Sequence, residues 1–136
     1  MTRHEMLAEA RSALNKPWRH QGRVKGQGLD CVGFLTEWGK ACGIIDVQEA
    51  ANYSRRPDGT TLRRKFREYL TPIKVSELEP TDIVLLHSGE TPNHVGIIGD
   101  YPGGLSLIHA YLPARKVIEH ILDASWRSRI VGAYRI

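Results

Sequence analysis

The stretch Gly26-Gln27-Gly28-Leu29-Asp30-Cys31-Val32-Gly33-Phe34-Leu35 joins a glycine-rich loop to an apolar pattern with helical spacing. Asp30 suits the N-cap position, because its carboxylate can accept hydrogen bonds from the first backbone amides of a helix. Cys31 then lies in the first turn, where those amides and the helix dipole stabilise a thiolate. The stretch therefore predicts a nucleophilic cysteine at a helix start. Taken alone, it fits equally well a small buried residue that heads an apolar stripe.

Length and composition are those of one compact domain. The chain has 136 residues, of which 41% are hydrophobic and 25% charged, enough for one core. We expect a single domain over residues 1–136. The net charge of +4 and the pI near 9.3 favour an anionic partner, which could be nucleic acid, a membrane surface or a charged polymer such as a bacterial cell wall.

The cysteine content and the first residues of the chain indicate the compartment in which the protein is synthesised. The two cysteines, Cys31 and Cys42, would be held apart by the predicted helix, so we expect no disulfide scaffold and synthesis in a reducing compartment. Met1 is followed by four polar residues, and no long apolar run comes after them. We therefore expect neither a signal peptide nor a membrane span, and a cytoplasmic location at synthesis.

The first helix is predicted from a capping box. Thr2 and Glu5 have the required spacing, an apolar face follows, and the helix should end before Pro17. The chain from Pro17 leads straight to the glycine-rich loop, so Trp18 and His20 are candidates for the wall of the site. On local sequence alone, each also fits an ordinary role, as a packing aromatic and as a surface histidine.

A further helix is predicted beyond a long polar loop that ends near Gly59, with Thr60 or Thr61 as its cap. Its outward face is basic, with Arg63, Arg64, Lys65 and Arg67. This cluster is the best hint of nucleic-acid binding in the chain. No nucleic-acid motif or pattern of stacking aromatics accompanies it, so we interpret it as a solvated helix face and expect no nucleic-acid partner.

The second half of the chain has the pattern of strands. Short apolar runs alternate with turn residues at 83–86, 94–98, 105–109, 117–121 and 130–136. Helices followed by an antiparallel sheet predict an α+β fold, with the helices packed on one side of the sheet.

Two histidines fall inside these strands, on either side of a turn-rich segment at 99–104. If Gly99 and Gly104 face each other across a four-residue loop, His94 lies directly opposite His109 and both side chains share one face. Directly opposed residues have β-carbons about 4.5–5.5 Å apart, so one imidazole could orient the other. A register slip of one residue would separate them.

Together, these residues favour thiol catalysis, which needs a cysteine nucleophile, a base and an orienting group. Singly, Cys31, His94 and His109 each have a structural interpretation. Zinc bound by the same three side chains is the metal alternative, but their spacings match no common structural zinc pattern. We therefore expect no metal and no other cofactor.

Four motifs carry a family resemblance. They are Leu29-Asp30-Cys31-Val32-Gly33-Phe34, Asp82-Ile83-Val84-Leu85-Leu86, His94-Val95-Gly96-Ile97 and Ile108-His109-Ala110. In this order they resemble the motifs of the NlpC-type cell-wall cysteine peptidases, from about Pro17 to the C-terminus. The resemblance implies a papain-like fold in which Cys31 is the nucleophile, His94 the base and His109 the orienting residue.

The resemblance also implies a substrate and a setting. The substrate would be peptidoglycan stem peptides, cut between D-glutamyl and diaminopimelyl residues. Two further stretches, at 17–21 and 126–134, resemble the branch found in phage tails and phage-like gene transfer particles. That branch implies tail proteins as partners and action at the cell wall after delivery by a tail.

Two residues depart from the family pattern. Trp18 stands where many members carry a tyrosine whose hydroxyl helps to shape the site near the oxyanion, and Val32 replaces the common serine. Two other functions stay open: an inactive structural or assembly protein of a tail tip, and a Cys-His amidase or acyltransferase that acts on another substrate.

Overall fold

A computed structural model describes residues 1–18, 23–24, 28–51, 59–88 and 91–136. Its helices are α1 Arg3–Arg11, α2 Cys31–Ala41, α3 Ile45–Ala51, α4 Gly59–Tyr69 and α5 Ala124–Arg127. Its strands are β1 Arg23–Val24, β2 Gly28–Leu29, β3 Thr71–Ile73, β4 Ile83–Ser88, β5 Thr91–Tyr101, β6 Gly104–Tyr111, β7 Lys116–Ile121 and β8 Ile130–Arg135. Within the described ranges, no helix is long and apolar enough to span a membrane.

The strands form a two-stranded ribbon of β1 and β2 and a six-stranded antiparallel sheet. The order in the large sheet is β3-β8-β4-β5-β6-β7. Helices α1 to α4 supply the side chains that pack, with Ile83, Leu85, Val95, Ile97 and Ile108, into the larger buried cluster. The predicted α+β architecture, with N-terminal helices on a C-terminal antiparallel sheet, is confirmed.

Local capping explains where the first two helices begin. The Thr2 hydroxyl accepts from the amide of Glu5, and the Glu5 carboxylate accepts from the amide of Thr2, which completes the predicted capping box. The Asp30 carboxylate accepts from the amide of Gly33 at 2.6 Å, as expected of an N-cap. Cys31 is therefore the first residue of α2, and the predicted helix start is confirmed.

Several described elements differ from the sequence predictions. The short helices α3 and α5, the ribbon strands β1 and β2, and the edge strand β3 beside β8 are additional. α4 begins at Gly59, so Thr60 and Thr61 lie inside its first turn and neither is the cap. The polar loop predicted before α4 lies mostly at 52–58, outside the described residues.

The opposite face of the sheet carries a smaller cluster, with Val84, Leu86, Ile98 and Leu107 buried there. Trp126 of α5 packs against this cluster. The two faces follow from strand alternation, since neighbouring residues point to opposite sides of a sheet. His94 and His109 have the same parity as Ile98 and Leu107, which places both imidazoles on this second face.

The predicted register of the β5–β6 hairpin is wrong by two residues. Tyr101 pairs with Gly104, so the turn consists of Pro102 and Gly103 alone. Proline presets the backbone of the first turn residue, and Gly103 has a φ of +89° that suits glycine at the second. The shift is even, so both histidines stay on one face, but they are no longer directly opposite each other.

Candidate active site

Cys31 occupies the N-terminal end of α2, which packs against β5 and β6. The thiol is half-buried, and it packs at the margin of the larger apolar cluster. Since the first backbone N–H groups of a helix point out of its N-terminus, this position favours negative charge on the sulfur.

His94 and His109 contact each other directly. His94 Nε2 and His109 Nδ1 are 2.6 Å apart, and the ring centroids are 4.9 Å apart at an interplanar angle of 71°. His94 is 8% exposed and His109 is fully buried. One of the two nitrogens must carry the proton in this bond, so each ring constrains the tautomer of its neighbour.

Gly96 explains how two residues that are not directly paired can meet. Gly96 directly precedes Ile97, which pairs with Ile108 in the antiparallel hairpin, so Gly96 lies beside His109 on β6. A β-carbon at Gly96 would come within 3.3 Å of the His109 β-carbon and 2.6 Å of Leu107 Cδ1. The missing side chain leaves room for the two imidazoles to meet diagonally across the strands.

A bulge lies immediately before His94. The β4–β5 pairing passes from Leu86 with His94 to His87 with Pro92, which leaves Asn93 as the extra residue. Bulges bend a strand and re-aim the adjoining side chain, and they are frequent beside active sites.

His120 on β7 extends the histidine pair. His109 Nε2 lies 2.9 Å from His120 Nε2, and His120 Nδ1 lies 2.9 Å from the carbonyl oxygen of Ile121. The Trp126 ring covers both, with centroids 5.0 Å from His109 and 4.9 Å from His120. Neither His120 nor Trp126 was predicted from the sequence to be a site residue.

The surroundings keep both buried histidines neutral. Burial and, as the weaker cause, the positive charge of Arg129 together lower the pKa of His94 to about 4. Burial also lowers the pKa of His109 well below its ordinary value, with His94 and His120 as weaker causes. The Arg129 guanidinium lies 4.4 Å from the centre of the Trp126 ring. At neutral pH, His94 is therefore an unprotonated base.

The remaining predicted site residues have different outcomes. Trp18 is half-buried, and its amide donates to the carbonyl of Arg115 at 2.8 Å, at the sheet edge where β7 begins. Asp30 is the helix cap described above. His20 lies outside the described residues, so its predicted place in the site wall stays a prediction.

No group of three or more His, Cys, Asp or Glu side chains within the described ranges is arranged to hold a metal ion. The histidine nitrogens point at one another, and each short N···N contact requires a proton between the two atoms. The nitrogens in those contacts are thus engaged in hydrogen bonds.

Comparison with known proteins identifies the family to which this chain belongs. The NlpC/P60 family matches residues 15–135. A murein DD-endopeptidase and murein LD-carboxypeptidase, MepS, from Escherichia coli strain K12 is 26% identical over 119 residues. That match covers 88% of this chain and 55% of the relative, so the chain spans about half the length of that protein.

Solved structures share the fold at lower identity. The NlpC/P60 domain of the peptidoglycan hydrolase SagA is 22% identical with a TM-score of 0.69, and the match covers 100% of both chains. An NlpC/P60 family protein from Bacillus cereus ATCC 10987 is 20% identical with a TM-score of 0.72, over 99% of this chain and 40% of the other. These likenesses confirm the predicted NlpC-type fold.

Proposed function

Because this chain belongs to the NlpC/P60 family, we propose that it is a cysteine endopeptidase that cleaves amide bonds in peptidoglycan stem peptides. The observation that carries the proposal is the buried 2.6 Å bond between His94 and His109, on two strands against which the Cys31 helix packs. Thiol catalysis requires a cysteine nucleophile, a base and a group that orients the base, and in this proposal Cys31, His94 and His109 supply them.

The mechanism assigns a separate task to each residue. In this proposal the bulge before His94 turns its imidazole toward Cys31, and His94 Nδ1 takes the thiol proton. The thiolate attacks the scissile carbonyl, and backbone N–H groups at the start of α2 stabilise the oxyanion. His94 then protonates the leaving amine, which frees it and leaves an acyl-enzyme. His94 next activates a water molecule that hydrolyses the thioester and restores the thiol.

His109 orients the base in this scheme. Its Nδ1 accepts the hydrogen bond from His94 Nε2, which keeps the lone pair of His94 on Nδ1. Trp18 lacks the hydroxyl that many family members place near the oxyanion, so the amides of the α2 first turn would carry that stabilisation.

We propose the bond between D-glutamyl and diaminopimelyl residues as the point of cleavage. The name of the MepS relative describes two other activities on murein, so the masses of the products must identify the bond that is cleaved.

We further propose that residues 1–136 act as one domain. We also propose that the protein is synthesised in the cytoplasm and is assembled into a phage or phage-like tail, with tail proteins as partners. It would then act at the cell wall. Delivery by a tail is supported by the resemblance of the stretches at 17–21 and 126–134 to the phage-tail branch, and action at an anionic wall by the basic net charge.

Digestion of defined muropeptides, followed by mass analysis, tests the function. The wild-type protein should release two fragments whose masses identify the amide bond. Cys31→Ala should release none, and Cys42→Ser, the matched control for the other thiol, should match wild type. An inactive tail-tip protein would release nothing in any form. An amidase or acyltransferase would leave muropeptides intact and act on another acyl donor.

A further inference from the structure

Three imidazoles form a continuous chain of hydrogen bonds across β5, β6 and β7. His94 Nε2 meets His109 Nδ1 at 2.6 Å, His109 Nε2 meets His120 Nε2 at 2.9 Å, and His120 Nδ1 meets the carbonyl oxygen of Ile121 at 2.9 Å. We propose that His120 is a positioning residue that sets the tautomer of His94 through His109. This inference rests on the proposed function of His94 as the base.

The backbone carbonyl at the far end decides the direction of every bond. A carbonyl oxygen can only accept, so His120 Nδ1 must carry a proton. With His120 neutral, its other nitrogen is an acceptor, so His120 Nε2 accepts from His109 Nε2–H. His109 Nδ1 is then an acceptor, and His94 Nε2–H must donate to it. The lone pair of His94 is left on Nδ1, where the mechanism needs it.

Without His120, the His94–His109 hydrogen bond could run in either of two directions. His109 could carry its proton on Nδ1 and donate to His94 Nε2, which would place the His94 proton on Nδ1. A base in that tautomer cannot take the thiol proton through Nδ1. His109 alone therefore positions the ring of His94, and His120 supplies the asymmetry that selects its tautomer.

The packing holds the chain in place. His120 pairs with Leu107 on β6, two residues from His109, so the second contact is diagonal like the first. Trp126 lies against His109 and His120 and limits the movement of both rings. His109 is fully buried and its lowered pKa keeps it neutral, so it has one donor and one acceptor as the chain requires.

Imidazole nitrogen–proton correlation NMR on the folded protein reads the tautomer directly. In wild type, His94 should be protonated on Nε2 and unprotonated on Nδ1. In His120→Phe, which keeps an aromatic ring but has no nitrogen, His94 should become a mixture of tautomers. In His120→Gln, the amide oxygen can still accept from His109 Nε2–H, so the wild-type tautomer should return. His4→Phe, at an exposed position on α1, is the matched control.

Kinetics on one defined muropeptide supply the second measurement. His120→Phe should lower kcat roughly tenfold, in line with the loss of one selecting hydrogen bond, with KM little changed, and His120→Gln should recover most of the rate. An unchanged His94 tautomer in folded His120→Phe overturns the proposal, as does a wild-type His94 protonated on Nδ1. Where His120→Phe does not fold, the wild-type spectrum still tests the proposal, because a His120 protonated on Nε2 would overturn it. If wild type cleaves nothing, the proposed function fails, and the tautomer measurement still decides the role of His120.

Discussion

Gly96 lies beside His109 in the β5–β6 hairpin, and a β-carbon at Gly96 would approach the His109 β-carbon to 3.3 Å. The absent side chain is what lets His94, two residues earlier on the same face, reach across to His109. The residues of the motif His94-Val95-Gly96-Ile97 thus have different structural roles. His94 supplies a nitrogen, Val95 and Ile97 pack under the helices, and Gly96 supplies space.

Gly96→Ala should displace His109 and weaken both activity and stability. The added methyl group would lie 2.6 Å from Leu107 Cδ1 and 3.2 Å from the carbonyl oxygen of Ile108. Overpacking of this kind costs about 1–3 kcal/mol. Gly104→Ala is the matched control, because its nearest neighbour would be Ile121 Cδ1 at an ordinary 3.6 Å. Urea unfolding and muropeptide assays should show lower stability and activity for Gly96→Ala than for Gly104→Ala. Equal stability and activity in the two variants would show that the site does not require a glycine at position 96.

The two thiols should differ in reactivity. Burial raises the pKa of Cys42, with the charge of Glu9 as a weaker cause, so its thiolate is scarce near neutral pH. Cys31, at the helix N-terminus, should alkylate much faster with iodoacetamide, as followed by peptide mass analysis. Equal rates at the two positions would contradict activation of Cys31.

His94 and His109 should respond differently to an amide replacement. His94→Gln should lower kcat/KM at least 10²-fold, because an amide cannot shuttle a proton. His109→Gln should retain more activity than His109→Ala, because its amide oxygen can still accept from His94 Nε2–H. All three need circular dichroism to verify folding. A folded His109→Gln as inactive as His94→Gln would mean that His109 does more than orient its neighbour.

Arg129 should influence the acid limb of the pH dependence of kcat/KM. Its positive charge adds to burial in lowering the pKa of His94, so Arg129→Gln should raise that pKa. The acid limb of kcat/KM would then move to higher pH, by up to about one unit. Arg127→Gln, on the exposed face of α5, is the control and should leave the limb in place. If the acid limb of kcat/KM stays at the same pH in both variants, Arg129 does not influence the pKa of His94.

Stability should fall on mild acidification. His94 titrates near 6.5 when unfolded and near 4 when folded, so the unfolded state binds more protons between those values. The stabilisation is fully present above about pH 6.5 and is lost as the pH falls toward 4. Urea unfolding at about pH 7.5 and about pH 5.5 measures it. His94→Gln should show a smaller change between the two pH values than wild type; an equal change would place the effect elsewhere.

Much of the site was predictable because its signals are local. The capping residues Thr2 and Asp30 define helix starts through hydrogen bonds to amides a few positions away. The strands follow from alternation within short segments. Strand alternation also predicted that His94 and His109 share a face, and this held despite a wrong register because the error was an even number of residues.

Pairing across strands was decided by the tertiary structure. The hairpin closes at Pro102 and Gly103, which moves His94 from a direct to a diagonal neighbour of His109. His120 joins the chain only through the register of β6 with β7, and Trp126 covers it from α5. These contacts depend on how distant segments pair and pack, which no local pattern encodes. The sequence by itself thus determined which residue types are available and which way they face, and the tertiary pairing decided which nitrogens meet.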